Sequence, residues 1–179
     1  MVMKLGAKEL RVTKPTREQW ETIERKPIYI VLDNVLDTYN IGSIFRLADA
    51  VAAKEIILCG GSETPPSSRI HKAAVGTEEW VPWRYTLKTQ DVLKSLKAQI
   101  PSLKIIAVEQ DPRAIALGRL SDFGGQPMAL VVGHETEGVS RQVLEIADVI
   151  VEIPMWGVNK SLNVVVSTGI VLYKVLGLS

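Results

Sequence analysis

The stretch Val149-Ile150-Val151-Glu152-Ile153-Pro154-Met155-Trp156-Gly157-Val158-Asn159-Lys160-Ser161-Leu162-Asn163, running directly into Val164-Val165-Val166-Ser167-Thr168-Gly169-Ile170-Val171-Leu172, decides the fold. A short apolar strand stops at Pro154, a polar loop follows, and an apolar segment with small residues starts after Asn163. The pattern predicts a strand, a loop and a buried helix. In an open α/β sheet, ligands sit at loops leaving the carboxyl ends of strands, and unpaired backbone groups near a helix start suit a polar ligand. Half of a small-molecule site is therefore expected between residues 153 and 163.

The same alternation recurs upstream. Residues 16–26 read as a polar helix closed by Pro27, and Ile28 to Leu32 is an uninterrupted apolar run of the kind a buried parallel strand requires. A polar loop over 33–39 leads past Asn40 and Gly42 into a helix over 44–52. A second strand, 55–59, ends at Gly60-Gly61. Pro65-Pro66 opens a loop, and 67–75 forms a short helix carrying Arg69, His71 and Lys72. Residues 81–85 read as a strand that Pro82 confines to an edge or a terminus. A helix over 89–99, a strand over 103–108 and an irregular stretch over 111–126 with a Gly124-Gly125 turn follow. Met128 to Val132 is another apolar strand, and Ser140 is placed to cap a helix through Ala147. Strands alternating with helices in this way predict a mostly parallel sheet with helices on both faces. With no repeat or long linker, the division is an N-terminal basic arm, 1–27, and one domain, 28–179.

The chain has 179 residues, 46% hydrophobic and 23% charged, with a formal net charge of +1. That composition belongs to a globular chain with a real core rather than a disordered one. The net charge argues neither for nor against a nucleic-acid partner. The arm holds seven Lys/Arg against four Glu, an excess able to touch phosphates, or equally a solvated helical lead-in. Cys59 is the one cysteine, so no disulfide forms within the chain, and its place at the end of an apolar strand marks it as core. No apolar run reaches membrane-spanning length and no signal peptide is evident, so a cytoplasmic protein is expected.

Three polar clusters fall at strand-to-helix junctions. The first holds Asn40, Gly42 and Arg46; the plainer reading of Arg46 is an ion pair with Asp49 at i+3. The second holds Gly133, where a ligand can approach the backbone, and Glu135; the alternative is an ordinary polar turn. The third is Ser161 with Asn163, which equally read as helix caps. The two histidines and one cysteine are too scattered for a zinc site, so no metal is expected. Neither dinucleotide nor P-loop phosphate motifs occur, and no serine stands between Gly133 and Gly138 to form a nucleophile elbow.

In order, the clusters resemble the three motifs of the SpoU/TrmH class of SPOUT RNA methyltransferases. The first appears as Asn40-Ile41-Gly42-Ser43-Ile44-Phe45-Arg46, the second as Leu130 through Gly133-His134-Glu135 to Ser140, and the third as Ile153-Pro154-Met155 through Gly157 to Ser161-Leu162-Asn163-Val164. The resemblance covers roughly residues 28–176. It implies S-adenosylmethionine as methyl donor, the ribose 2′-hydroxyl of a tRNA or rRNA nucleotide as acceptor, a homodimer, and a deep C-terminal trefoil knot. It also implies that Val108, Gly133, Ile153, Met155 and Leu162, with Ser161, hold the donor. By the same resemblance Arg46 is the catalytic arginine, Asn40 and Glu135 orient it or the ribose, and Ser161 and Asn163 shape the acceptor pocket. His134 departs from the smaller residue or asparagine more usual in the family. Two other readings stay open: a catalytically inactive RNA-binding protein of the same fold, and a nucleotide-binding α/β enzyme of another kind.

Overall fold

The computed structural model describes residues 4–123 and 125–177. Its centre is a seven-stranded sheet whose paired strands all run parallel. In chain order the strands are β1 (Lys26–Asp33), β2 (Ala53–Cys59), β3 (Trp83–Thr86), β4 (Lys104–Val108), β5 (Ile115–Ala116), β6 (Met128–Gly133) and β7 (Val149–Glu152), and in space they lie β3-β2-β1-β6-β4-β7-β5. The helices are α1 (Ala7–Leu10), α2 (Arg17–Glu21), α3 (Thr38–Ala50), α4 (Ser68–Ala74), α5 (Thr89–Gln99), α6 (Arg141–Leu144) and α7 (Val164–Val175).

Alternation along the central strands explains the two-faced packing. Ile30, Leu32, Leu130 and Val132 point to a core shared with Ile41, Ile44 and Phe45 of α3 and Val171, Leu172 and Val175 of α7. Val31, Ala129 and Val131 point the other way, toward Leu93 and Leu96 of α5 and Val143 of α6. Every residue of β6 is buried, which is why both faces of its sequence read as apolar.

Several elements differ from the sequence reading. α3 begins at Thr38, six residues early, because Asp37 caps it by accepting from the amides of Tyr39 at 2.7 Å and Asn40 at 3.4 Å. Asn40 and Gly42 are thus inside the helix rather than ahead of it. The irregular stretch contributes β5, a two-residue edge strand beside β7; of its expected glycine turn, Gly124 lies outside the described residues. α6 stops at Leu144, and Ser140 caps it without a side-chain bond. The apolar helix α7 is buried on one face only: Val166, Ile170 and Tyr173 are 48, 36 and 41% exposed. Among the described residues no helix is long and apolar enough to cross a membrane.

The arm packs against the segment that follows α4. Trp80 Nε1 donates to the Thr13 carbonyl at 3.3 Å, Lys14 pairs with Glu79 at 3.1 Å, and Arg25, lying over the Trp20 ring, donates to the Trp80 carbonyl at 2.7 Å.

α3 crosses α4 at Gly42, where an added Cβ would lie 2.5 Å from the Ile70 carbonyl oxygen and 2.7 Å from Ala73 Cβ. Backbone atoms there cannot yield cheaply. Alanine gains about 1 kcal/mol of helix propensity over glycine, yet separating the helices costs about 1–3 kcal/mol. Gly42→Ala is therefore expected to lower the thermal midpoint by several degrees; an unchanged or higher midpoint in calorimetry would show that the crossing has slack.

Candidate active site

The carboxyl ends of β4, β6 and β7 open into a cleft of about 570 Å³, completed by the first turn of α7. Its walls include Val108 and Glu109 at the end of β4, Gly133 to Gly138 from the last residue of β6 onward, and Ile153, Met155 and Asn159 to Asn163 after β7. Parallel register brings these ends level, pairing Asp33 with Gly133 and Val108 with Val151.

The turn after β6 is built by backbone closeness. A Cβ at Gly133 would fall 2.2 Å from the carbonyl of Gly138, so only glycine fits. The turn closes with His134 and Gly138 exchanging backbone hydrogen bonds, and His134 Nδ1 accepts from the amides of Thr136 at 3.0 Å and Glu137 at 3.2 Å. His134 is a structural part of this turn. Gly138, at φ 72°, leaves room for the Glu109 carboxylate, which accepts from the Val139 amide at 2.7 Å. Glu109 also accepts from the Gln110 amide at 2.8 Å, and the Gln110 side chain donates to the Lys160 carbonyl. The loops after β4, β6 and β7 are tied together by these bonds.

A second set of ties runs through Asn40. Its Nδ2 donates to Glu135 at 3.0 Å, while its Oδ1 accepts from Asn163 Nδ2, also at 3.0 Å. Glu135 further accepts from the amides of Leu36 at 3.2 Å and Asp37 at 3.0 Å. Asn163 caps α7, its Oδ1 accepting from the Val165 amide at 2.8 Å. The structure thus brings Asn40, Glu135 and Asn163, one from each cluster, into direct contact. Partial burial works against the charge of Glu135, but hydrogen bonds from Asn40 and the nearby amides outweigh it and hold its carboxyl below the usual range.

Of the other residues singled out in the sequence, Val108, Gly133, Ile153, Met155, Ser161 and Leu162 all line the cleft. Ser161 is exposed, its amide donating to Asn159 Oδ1 at 3.3 Å. Arg46 is not brought to this cleft; it is exposed on α3. Among the described residues it has no carboxylate partner, so it is not paired with Asp49, whose charged neighbours are Lys4 and Arg25. Burial raises the Cys59 thiol to about 11, in keeping with a core residue. Among the described residues no three metal-ligating side chains come together. The sequence reading missed Glu109, Gln110 and Asp33. Asp33 is buried at the end of β1, accepting from Thr89 Oγ1 at 2.5 Å and the Ser140 amide at 2.8 Å. Asp33 and Glu109 share a signal visible in the sequence, an acidic residue at the end of an apolar strand, with Gln110 next to the second.

Chemically, the cleft offers glycine-backed walls, four glutamates (Glu109, Glu135, Glu137, Glu152) and one lysine, Lys160. The excess of carboxylates suits a ligand with positive charge.

Comparisons with known proteins agree with one another. The SpoU rRNA Methylase family profile matches residues 27–173. The 23S rRNA (guanosine-2′-O-)-methyltransferase RlmB of Ralstonia nicotianae is 35% identical over 161 residues, 88% of this chain and 61% of that protein. The tRNA (guanosine(18)-2′-O)-methyltransferase of Aquifex aeolicus is 34% identical over 176 residues, 97% of this chain and 79% of that one. Among solved structures, an AdoMet-bound rRNA methyltransferase from Sinorhizobium meliloti superposes with a TM-score of 0.76 at 28% identity, covering 93% of this chain and 59% of that chain. The chain thus spans about 60% of the length of several relatives it matches.

Because its carboxyl is held low, Glu135 contributes stability that is fully present above the ordinary carboxylate range, near pH 4.3, and lost as pH falls through its lowered value. Glu135→Gln is expected to lower the melting temperature at pH 7, with the gap to wild type closing below about pH 4. A gap that stays constant down to pH 3 would contradict the assigned bonds.

Proposed function

The chain belongs to the SpoU rRNA Methylase family, and from this we infer that it transfers a methyl group from S-adenosylmethionine to the ribose 2′-hydroxyl of a tRNA or ribosomal RNA nucleotide. The observation that carries the inference is the cleft itself, where the residues that the resemblance assigns to the donor share one set of walls. Its volume falls within the usual range for small-molecule sites, Gly133 leaves space that a Cβ would fill, and its carboxylates suit a sulfonium and an ammonium group. Val108, Gly133, Ile153, Met155, Ser161 and Leu162 would hold the donor. When bound, it supplies a methyl group already activated for transfer.

What remains for the protein is to place the acceptor oxygen in line and assist loss of its proton. Arg46 serves by binding the adjacent phosphate through its planar fork of donors and stabilising the developing alkoxide. A phosphate oxygen of the RNA accepts the proton. Asn40 and Glu135 hold the start of α3, and Asn163 and Ser161 shape the acceptor side of the cleft.

Arg46 lies outside the cleft of its own chain, so the reading assigns it to the cleft of a second copy. The homodimer interface is formed by exposed apolar side chains: Leu162 of the cleft rim, Leu36 and Tyr39, and Val166, Ile170 and Tyr173 of α7. Trp156, 93% exposed on the loop after β7, extends this surface. The C-terminal region carries the trefoil knot of the class, residues 28–179 act as the methyltransferase domain with 1–27 as a basic extension, and the protein works in the cytoplasm.

Arg46→Ala is expected to keep donor affinity within about twofold in calorimetry while methyl transfer to bulk RNA falls by a factor on the order of 10² or more. Co-expressing Arg46→Ala with a Gly133→Val chain restores one working centre per mixed dimer. An active Arg46→Ala enzyme removes the arginine from the chemistry, and a mixed dimer with no activity removes the second copy.

A further inference from the structure

The cations of α4 have no place in the reaction described above. Arg69 and Lys72, three apart, lie one above the other on the helix, and both are exposed. His71 completes the outward arc, while Ile70 and Ala74 face the core. Among the described residues neither Arg69 nor Lys72 has a carboxylate partner. Of the acids flanking the helix in sequence, Glu79 pairs with Lys14, and Glu63 on the preceding loop forms no ion pair among the described residues.

Glu78 is the unusual member of the neighbourhood. Its side chain is 6% exposed, Oε2 has no hydrogen-bond partner, and Oε1 meets His71 Nδ1. A carboxylate buried that deeply is costly unless paired, so Glu78 holds the ring by Nδ1. The His71 side chain is 43% exposed, and among the described residues Nε2 has no partner. With Nδ1 held by the carboxylate, Nε2 is the ring nitrogen left for a ligand.

The position of the helix supplies the connection to the active site. Gly42 lies against Ile70, Ala73 and Ala74 of α4, and Arg46 follows on the same face of α3 one turn later. We propose that the outward arc of α4 binds phosphates of the RNA strand that approaches Arg46, with Arg69 and Lys72 as its cations and His71 as a contact through Nε2, its ring fixed by Glu78. The proposal rests on the RNA methyltransferase reading, and it makes these residues positioning groups for the substrate.

The test uses the full chain, with unfractionated tRNA and total rRNA as probes in filter binding across a salt series. Arg69→Ala/Lys72→Ala alters only exposed side chains. It is expected to weaken RNA binding about tenfold at 0.1 M salt and to reduce the slope of log affinity against log salt by about 1.4–1.8, two phosphate contacts' worth. Donor affinity and the thermal midpoint stay at the wild-type values. Unchanged RNA affinity and slope would overturn the proposal, as would a parallel loss of donor affinity. His71→Gln/Glu78→Gln removes the pair without stranding a carboxylate, and about a threefold loss of RNA affinity is expected. RNA binding equal to wild type in that variant would confine the pair to folding and overturn the role of His71. A wild-type chain that binds RNA through α4 yet neither binds S-adenosylmethionine nor transfers methyl would refute the function above and leave this surface standing.

Discussion

The side-chain amide of Asn40 is the point on which the site depends. It donates to Glu135 in the loop after β6 and accepts from Asn163 at the start of α7, while sitting itself in the first turn of α3. These three positions follow three different strands, and the sheet fixes only where the strands end. Without a cross-link, each loop would be free to choose its own course over the sheet edge. Asn40 is buried, at 8% exposure, so each lost bond leaves a desolvated group worth about 1–3 kcal/mol. The larger consequence is geometric, because the same amide sets the distance between the loop that carries Glu135 and the helix start that carries Asn163.

Elsewhere along the edge the same chemistry recurs. Asp33 joins the end of β1 to Thr89 and to the Ser140 amide, and Glu109 joins the end of β4 to the Val139 amide. In each case an acidic side chain satisfies loop N–H groups that no strand partner reaches. The carboxylates thereby pin the turns, and those of Glu109 and Glu135 also give the cleft its negative character. A site held in this way is organised before its ligand arrives. α7 adds a different constraint. Its inward face closes the core with Val171, Leu172 and Val175, and its outward face is apolar yet exposed at Val166, Ile170 and Tyr173.

Much of this was legible in the sequence, for physical reasons that differ by element. The central strands announce themselves as unbroken apolar runs because both faces are covered, and the 89–99 helix matches its amphipathic pattern. The start of α3 was not legible, since Asp37 is one polar residue among several and only its contact with two amides shows it to be the cap. β5 is too short for any periodicity to show. The exposed face of α7 was hidden for the opposite reason: its residues are as apolar as core, so the pattern does not separate the covered face from the exposed one. At the site, the clusters stood out as polar residues at strand ends, whereas the Asn40–Asn163 contact joins positions 123 residues apart and nothing local encodes it. Arg46 illustrates the same limit, since its residue type suggested a role while its place outside the lining of the cleft emerged only from the fold.

A double-mutant cycle at Asn40 and Asn163, read by calorimetric titration of S-adenosylmethionine, tests the central claim most directly. The expected result is that each single alanine substitution weakens donor binding and that the pair together costs little more than either alone, a coupling of about 1 kcal/mol or more. Additive losses, or a wild-type chain that does not bind the donor, would contradict a cleft assembled through this amide.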